Sequence, residues 1–406
     1  MLIAHVRPDL ELTLAYVAHG LRDRRDDDDE AARVADLAQR VHAAPVVLPV
    51  DIHRTGDGLE ADARRARHAA LEEEVRRQGA RFVAYAHHAE DQAETLLLRS
   101  ARGTGVDGLA GMAVMRGMRL RPLLDVRQAD VHRAADTIMP GVVAGASHDR
   151  MNDDVRFARV RLRREVLPAL AAVSPDPVGA LLRLADLARA DADVLDTAVT
   201  ELAEELVVRF GVAVLVPSAA LRALPLALGR RLLRVLLPEG EARTAQNVAR
   251  VLSAPDGWRA TLPGPIDVEV DRGHHLVVPV ALPHMPARPL DDVVTHQRSG
   301  ITITRTVGDD LVAHLSGGVP PGLSADRLAV ALNLAGPLAV RTRSDGDRVR
   351  TPGGSRSLGD VLNACGVPRA VRDLLPVVVD EADRVVWVPG VVVDVSARRP
   401  GAPDGR

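Results

Sequence analysis

The chain has 406 residues, 47% hydrophobic, 26% charged and 2% aromatic, a balance that fits about two to four globular domains and excludes global disorder. No run of about 18 apolar residues predicts a membrane-spanning helix, no signal-peptide pattern opens the chain, and the single cysteine, Cys365, excludes an intrachain disulfide and a cysteine-built zinc site. A cytoplasmic protein with no membrane contact is expected, and a net charge of −3, with every basic residue an arginine, means that nucleic-acid binding must come from a local patch.

Residues 10–18 are apolar and alternate, which predicts a strand that ends in the turn His19-Gly20-Leu21-Arg22. Helical spacing follows over 30–42, a second strand over 45–51, and a charged helix over 59–78 that Gly79 ends. A short strand over 81–86 leads into a helix from His87 to Ser100. Strands alternating with helices predict an α/β, Rossmann-like parallel sheet over residues 1–165. The alternation fades after residue 165, and 3–4 spacing over 177–210 and 218–237 predicts a helical domain over 166–278. Residues 279–300, rich in Pro and His, read as a linker. Short β-rich runs over 301–400 predict a small α+β domain.

The densest polar cluster is His87-His88-Ala89-Glu90-Asp91-Gln92-Ala93-Glu94-Thr95, directly after the third strand. Ligands of open α/β sheets sit at strand carboxyl ends, and a helix N-terminus there favours phosphate. Asp91 and Glu94, three apart, share a helix face and can hold Mg2+ with substrate phosphates, or a substrate amine. Arg99 and Arg102 follow on the same helix and can neutralise a polyphosphate. The bland alternative is a polar helix start with capping acids. His87, Asp91 and Glu94 could also form a metal site, although no HExxH pattern is present. Arg156, Arg159 and Arg163 fall on one predicted helix face, and with Arg161 they can meet nucleic-acid phosphates. The alternative there is a solvated helix. Ser316-Gly317-Gly318 reads as a plain turn, because no helix pattern follows it.

Taken in order, these segments resemble the tRNA(Ile)-lysidine synthase family of N-type ATP pyrophosphatases. The strongest match is His87–Met112, HHAEDQAETLLLRSARGTGVDGLAGM, beside the family's HHADDQAETxLLRLxRGxGxxGLxGM. Further matches are the HGLR turn at 19–22, Glu60–Leu71, Arg121-Pro122-Leu123-Leu124, residues 149–168, Arg343–Pro352 and Gly366–Pro376. The resemblance implies an ATP-dependent ligase that adenylates the wobble cytidine of the CAU-anticodon isoleucine tRNA, then joins free L-lysine to it. It implies catalytic roles for His87, Asp91 and Glu94. It further implies ATP or lysine contacts from His19, Gly20, Arg22, His88, Arg99 and Arg102, and tRNA contacts from Arg156, Arg159, Arg161 and Arg163. Mg2+ would arrive as MgATP, with Asp91 as a weak ligand, and a homodimer is compatible with the pattern. A non-catalytic tRNA-binding remnant or another tRNA-modifying ATP pyrophosphatase are the alternatives. A 2-thiocytidine thiolase normally needs paired cysteines.

The sequence departs from the family in lacking the strand and SGGxDS loop that cradle ATP phosphates. Leu2–Pro8 aligns with the end of the helix after that loop. A start codon set too far downstream, or a truncated gene, is the expectation, with weak or no ATP activity for this chain. Smaller departures are Glu90 for Asp, Met151 for Ser, Phe157 for Tyr, Val160 for Asn, and Leu358-Gly359 for a Lys-Lys pair.

Overall fold

A computed structural model describes residues 1–19, 24–53, 59–146, 157–280, 286–306, 310–333 and 336–399. The chain forms two compact units, Met1–Val194 and Leu195–Arg406.

The first unit opens with α1 (Leu2–Val6), β1 (Thr13–Ala18), α2 (Arg24–Arg40), β2 (Ala44–Pro49), α3 (Leu59–Gln78) and β3 (Val83–Ala84). Then come α4 (Ala89–Ala101), α5 (Val106–Leu109), β4 (Met115–Arg116), β5 (Arg119–Leu120) and α6 (Gln128–Ile138). Gly79 ends α3 with a φ of 65°, a left-handed cap that glycine adopts without a Cβ penalty. β1 pairs with β2 in parallel from Thr13↔Ala44 to Ala18↔Pro49, and β3 pairs in parallel with β5. The parallel α/β pattern predicted for the first 165 residues is present. It is divided into a two-stranded sheet, β1-β2, and a three-stranded one, β3-β5-β4.

Beyond residue 156 lie α7 (Ala158–Arg161), a π turn over Leu162–Val166, α8 (Leu167–Ala171) and α9 (Pro177–Leu206). Ala89 and Ala93 of α4 pack against Leu167 of α8 and Val178 of α9. The small alanines let α4 approach these helices closely, which fixes the helix that carries the polar cluster.

The second unit continues with β6 (Val208–Phe210), β7 (Ala213–Pro217), α10 (Ser218–Ala223), α11 (Leu226–Leu236), α12 (Ala245–Leu252), β8 (Arg259–Leu262), β9 (Ile266–Asp271) and β10 (His274–Pro279). The segment predicted to be helical therefore also holds a five-stranded antiparallel sheet, ordered β6-β7-β10-β9-β8. Leu215, Leu276 and Val278 enter one core and Val216, Val268 and Val277 another, so the sheet is buried on both faces. Strands covered on both sides read as continuous apolar runs without alternation, which is why helical spacing dominated the sequence there. Pro225 breaks the single helix expected over 218–237 into α10 and α11.

The rest of this unit holds β11 (Arg288–Pro289), β12 (Val293–His296), β13 (Ile301–Arg305), β14 (Asp310–Leu315), β15 (Ala329–Ala331), β16 (Ala339–Thr342), and the hairpin β17 (Arg348–Thr351) with β18 (Gly354–Ser357). It ends with α13 (Leu358–Ala364), α14 (Arg369–Arg372), β19 (Pro376–Val379), β20 (Val385–Val388) and β21 (Val392–Val393). The stretch read as a linker carries two of these strands, and its Leu290, His296 and Ser299 are buried. Hydrophobic content was too sparse there to announce a core. Gly317 and Gly318 sit against β6, where a Cβ on Gly317 would lie 2.1 Å from the Arg209 carbonyl, so the Gly-Gly pair answers a close backbone approach. Cys365 is half-buried against the core.

His296 has an Nδ1 3.0 Å from the Ser299 hydroxyl and a buried Nε2 with no hydrogen-bond partner. Desolvation, with Arg298 nearby, lowers its pKa from 6.5 to about 4. Such a depressed histidine stabilises the fold fully above its unfolded pKa and loses that contribution as pH falls towards 4. Urea unfolding followed by tryptophan fluorescence should show stability falling between pH 6.5 and 4. At about 1.4 kcal/mol per pKa unit, His296 supplies up to about 3 kcal/mol of that fall. His296→Gln should flatten the slope; an unchanged slope would remove His296 as its source.

Candidate active site

α4 begins where β3 ends, and its first turn is organised by Asp91. The Asp91 Oδ2 accepts a hydrogen bond from the His88 backbone N–H at 3.0 Å, a capping contact at the third helical position. His88 places its Nδ1 2.9 Å from Glu90 Oε2. Glu90 also accepts from the Gln128 N–H at 2.9 Å, at the start of α6, and lies 3.7 Å from Arg127. Arg127 reaches Asp176, whose carboxylate accepts from the Gly179 N–H in α9. Glu90, where the family has the shorter Asp, thus ties α4 to α6 and on to α9.

Glu94 is wholly buried. Its Oε1 accepts from Arg163 Nε at 2.7 Å, and its Oε2 is buried with no hydrogen-bond partner among the described residues. Burial pushes the Glu94 carboxyl pKa up against the pull of Arg163. Arg163 also lies 3.9 Å from Asp91. His87 stacks on Tyr85 at 5.6 Å, and the Tyr85 hydroxyl is 2.7 Å from His68 Nδ1. Desolvation lowers His87 and His68 to about 4, so both rings are neutral at pH 7.

A cavity of about 1320 Å³ opens beside this cluster. His19, Arg64, Arg67, His68, His87 and Arg159 contribute cationic and polar groups to its wall, and Arg67 Nε donates to His19 Nε2 at 3.2 Å. His19 follows β1 and His87 follows β3, so this polar part lies at strand carboxyl ends.

The predicted site residues divide accordingly. His19, His87 and Arg159 line the cavity. His88, Asp91 and Glu94 share the adjoining helix start. Gly20, Arg22 and Arg156 lie outside the described residues. Arg99 and Arg102 do not join the cluster. Arg99 Nη1 donates to the Gly108 and Gly111 carbonyls at 3.1 and 2.8 Å, and Arg102 caps the far end of α4. Ten or more residues separate them from the start of the helix, a rise of roughly 15 Å. Of the predicted arginine face, Arg159 and Arg163 are parted. The π turn over Leu162–Val166 upsets the α-helical spacing, leaving Arg159 at the cavity, Arg163 on Glu94 and Arg161 exposed. Arg64 and Arg67 were not predicted as site residues, although both stand in the Glu60–Leu71 stretch that matched the family. Val160, where the family has Asn, is buried, and Leu358, at the Lys-Lys position, is a core residue.

Comparison with known proteins gives the family. A family model of the PP-loop domain matches residues 1–170, and one of the TilS substrate C-terminal domain matches residues 338–403. The chain is 33% identical over 428 residues to the tRNA(Ile)-lysidine synthase of Symbiobacterium thermophilum, covering 95% of this chain and 84% of that protein. The chain belongs to the tRNA(Ile)-lysidine synthase family. The family member from Thermobifida fusca is 39% identical over 264 residues, covering 63% of this chain and 78% of that protein. The one from Deinococcus radiodurans is 32% identical over 383 residues, and there the chain covers 54% of the relative's length.

Removing Arg163 would leave the Glu94 carboxylate buried and uncompensated, a known source of large destabilisation. Arg163 is 43% exposed at its side chain, so screening reduces the effect. Arg163→Ala should cost about 1–3 kcal/mol in urea unfolding at pH 7. Because the folded pKa of Glu94 is raised, the loss should shrink as pH falls towards 4.5. In a Glu94→Gln background the same substitution should cost much less, and equal costs in both backgrounds would show that the pair is not coupled.

Proposed function

We propose that this chain is an ATP-dependent carbon–nitrogen ligase that joins free L-lysine to the wobble cytidine of the CAU-anticodon isoleucine tRNA. The observation that carries the reading is the buried Glu94 carboxylate, with one oxygen unpartnered, beside Asp91 at the carboxyl end of β3. A buried acid needs a cation or a proton, and a substrate ammonium supplies either. In the proposed reaction the cytidine C2 oxygen attacks the α-phosphate of ATP and pyrophosphate leaves. The lysine ε-amine then attacks C2 and AMP departs. That amine must first lose a proton, and Glu94, its pKa raised by burial, is suited to receive it.

Arg64, Arg67 and Arg159 provide positive charge on the cavity wall for the triphosphate. Mg2+ bound to the phosphates would spread their charge. Among the described residues no group of three His, Cys, Asp or Glu could hold a metal alone. Asp91, whose Oδ1 lies 3.9 Å from Arg163 and makes no closer ion pair among the described residues, would be a weak protein ligand to that ion. Neutral His87, with a buried Nδ1 that makes no hydrogen bond, is available to a nucleotide group. Arg159 and Arg161 are the remaining candidates for tRNA phosphates. No helix among the described residues is long and apolar enough to cross a membrane; a cytoplasmic enzyme acting on tRNA remains the reading proposed here.

The test is incorporation of labelled lysine into a CAU-anticodon tRNA transcript, with a GAU transcript as control. Glu94→Gln should raise the KM for lysine about 10–100-fold, the loss of one charged contact, while changing the KM for ATP little. Arg67→Ala should do the reverse. A lysine KM untouched by Glu94→Gln would refute the assignment. Retained tRNA binding with no incorporation at all would favour the non-catalytic alternative.

A further inference from the structure

We propose that Arg163 is a resident cation that holds the place of the substrate ammonium beside Glu94 and Asp91, so that lysine binds by exchanging with the Arg163 guanidinium. The inference deepens the proposed function and rests on it, because it takes these two acids as the groups that meet the amine.

Glu94 has no exposed surface, and a carboxylate so placed cannot stand without a cation or a proton. An amine site built on such a group needs an occupant of its own while the substrate is away. Arg163 has the position of that occupant. Its Nε donates to Glu94 Oε1 at 2.7 Å, and its Nη2 lies 3.9 Å from Asp91 Oδ1. One guanidinium thus stands beside both carboxylates, in the place that the proposed reaction gives to the lysine ammonium.

The fit of this occupant is incomplete. A guanidinium holds a carboxylate best through a planar fork of two parallel bonds. Arg163 makes a single bond through Nε and leaves Glu94 Oε2 buried with no hydrogen-bond partner among the described residues. Its approach to Asp91 is too long for a hydrogen bond. An ammonium carries three rotatable donors on one compact centre. It can direct them to Glu94 Oε1, Glu94 Oε2 and Asp91 Oδ1, so the substrate's cation has more to gain at this place than the resident one.

A permanent pair in the same chain is built differently. Arg341 donates to both Asp347 oxygens, at 2.9 and 2.7 Å, and to Asp383 at 2.8 Å. The Arg341 and Asp347 side chains are only 6% and 8% exposed. Arg341 therefore has three charge-assisted bonds to break and little solvent beside it. Arg163 has one such bond to break, and its side chain is already 43% exposed. It can turn to water with little rearrangement of its neighbours. It also stands in the π turn over Leu162–Val166, a form of helix found frequently at functional sites.

The exchange governs both affinity and selectivity. A ligand whose site is open for a fraction of the time binds more weakly by that fraction. Occupancy by Arg163 for roughly nine-tenths of the time would weaken lysine binding about 10-fold. A neutral ligand could displace Arg163 only by leaving Glu94 uncompensated, so the site admits cations and rejects neutral amino acids of the same length.

The experiment is calorimetric titration of L-lysine into the 406-residue chain, with ATP and without tRNA. Arg163→Met should bind lysine about 10-fold more tightly than the parent, because the internal competitor is gone. Arg163→Lys should stay within about 3-fold of the parent, because a tethered ammonium still competes. A merely structural Arg163 would give weaker or equal binding in Arg163→Met. That result, with binding still weakened by Glu94→Gln, would overturn the exchange and leave the lysine site standing. Lysine binding that Glu94→Gln leaves unchanged, or no binding by any of these chains, would overturn the lysine reading and the exchange with it. If Arg163→Met does not fold, the unaltered chain decides by nitrogen-15 NMR of the Arg163 Nε–H. Saturating lysine should speed its exchange with water, and L-norleucine, which lacks the ε-amine, should not. An Nε–H that stays protected at saturating lysine would overturn the proposal.

Discussion

The Glu94–Arg163 contact is the constraint on which the site depends. A carboxylate with no exposure must be held by a cation or by hydrogen bonds, because desolvation costs several kcal/mol in a protein interior. Arg163 supplies half of that requirement through one Glu94 oxygen. It can do so because the π turn after Arg161 carries its side chain to α4. The other oxygen has no hydrogen-bond partner among the described residues. The role proposed for Glu94 rests on this incomplete satisfaction, with Asp91 alongside to make the region favourable to a cation.

Around that contact, much of the longest recognisable motif serves packing. Gln92 exchanges hydrogen bonds with both backbone groups of Met112, at 3.0 and 2.8 Å. Arg99 binds the carbonyls of Gly108 and Gly111. Gly111 has a φ of 68°, and a Cβ there would lie 2.7 Å from the Gln92 side chain. Together these residues bind the 105–112 turn to α4 and hold the helix in place. Asp91 and Glu94 stand in the same motif at the start of α4, where both approach Arg163. A single run of residues therefore encodes both the support of the helix and the carboxylates proposed as reactive groups.

The strand end at His87 was legible because a dense polar cluster interrupts the apolar run there, whereas the turn at His19 is also a common loop pattern and gained meaning from the family resemblance. Arg64 and Arg67 were harder to find. On a helix with charges all round, nothing in the spacing separates cavity-facing arginines from solvated ones such as Arg76 and Arg77, which pair with Glu73 and Glu74. The antiparallel sheet of the second unit was missed for a related reason. Strands buried on both faces lose the alternation that marks a strand, and neighbouring α11 and α12 impose a strong helical pattern.

By itself the sequence determined the parallel α/β pattern of the first unit, the placement of the imidazole and carboxylate groups after β3, and the family to which the chain belongs. These depend on local periodicity and on contiguous motifs. Tertiary structure alone decided which arginine pairs with Glu94, which arginines instead bind carbonyls, and that residues of β1, α3 and β3 line one cavity. Those outcomes depend on contacts between residues as many as 69 positions apart, as in Arg163 and Glu94. Linear spacing carries no information about contacts that chain folding alone brings together.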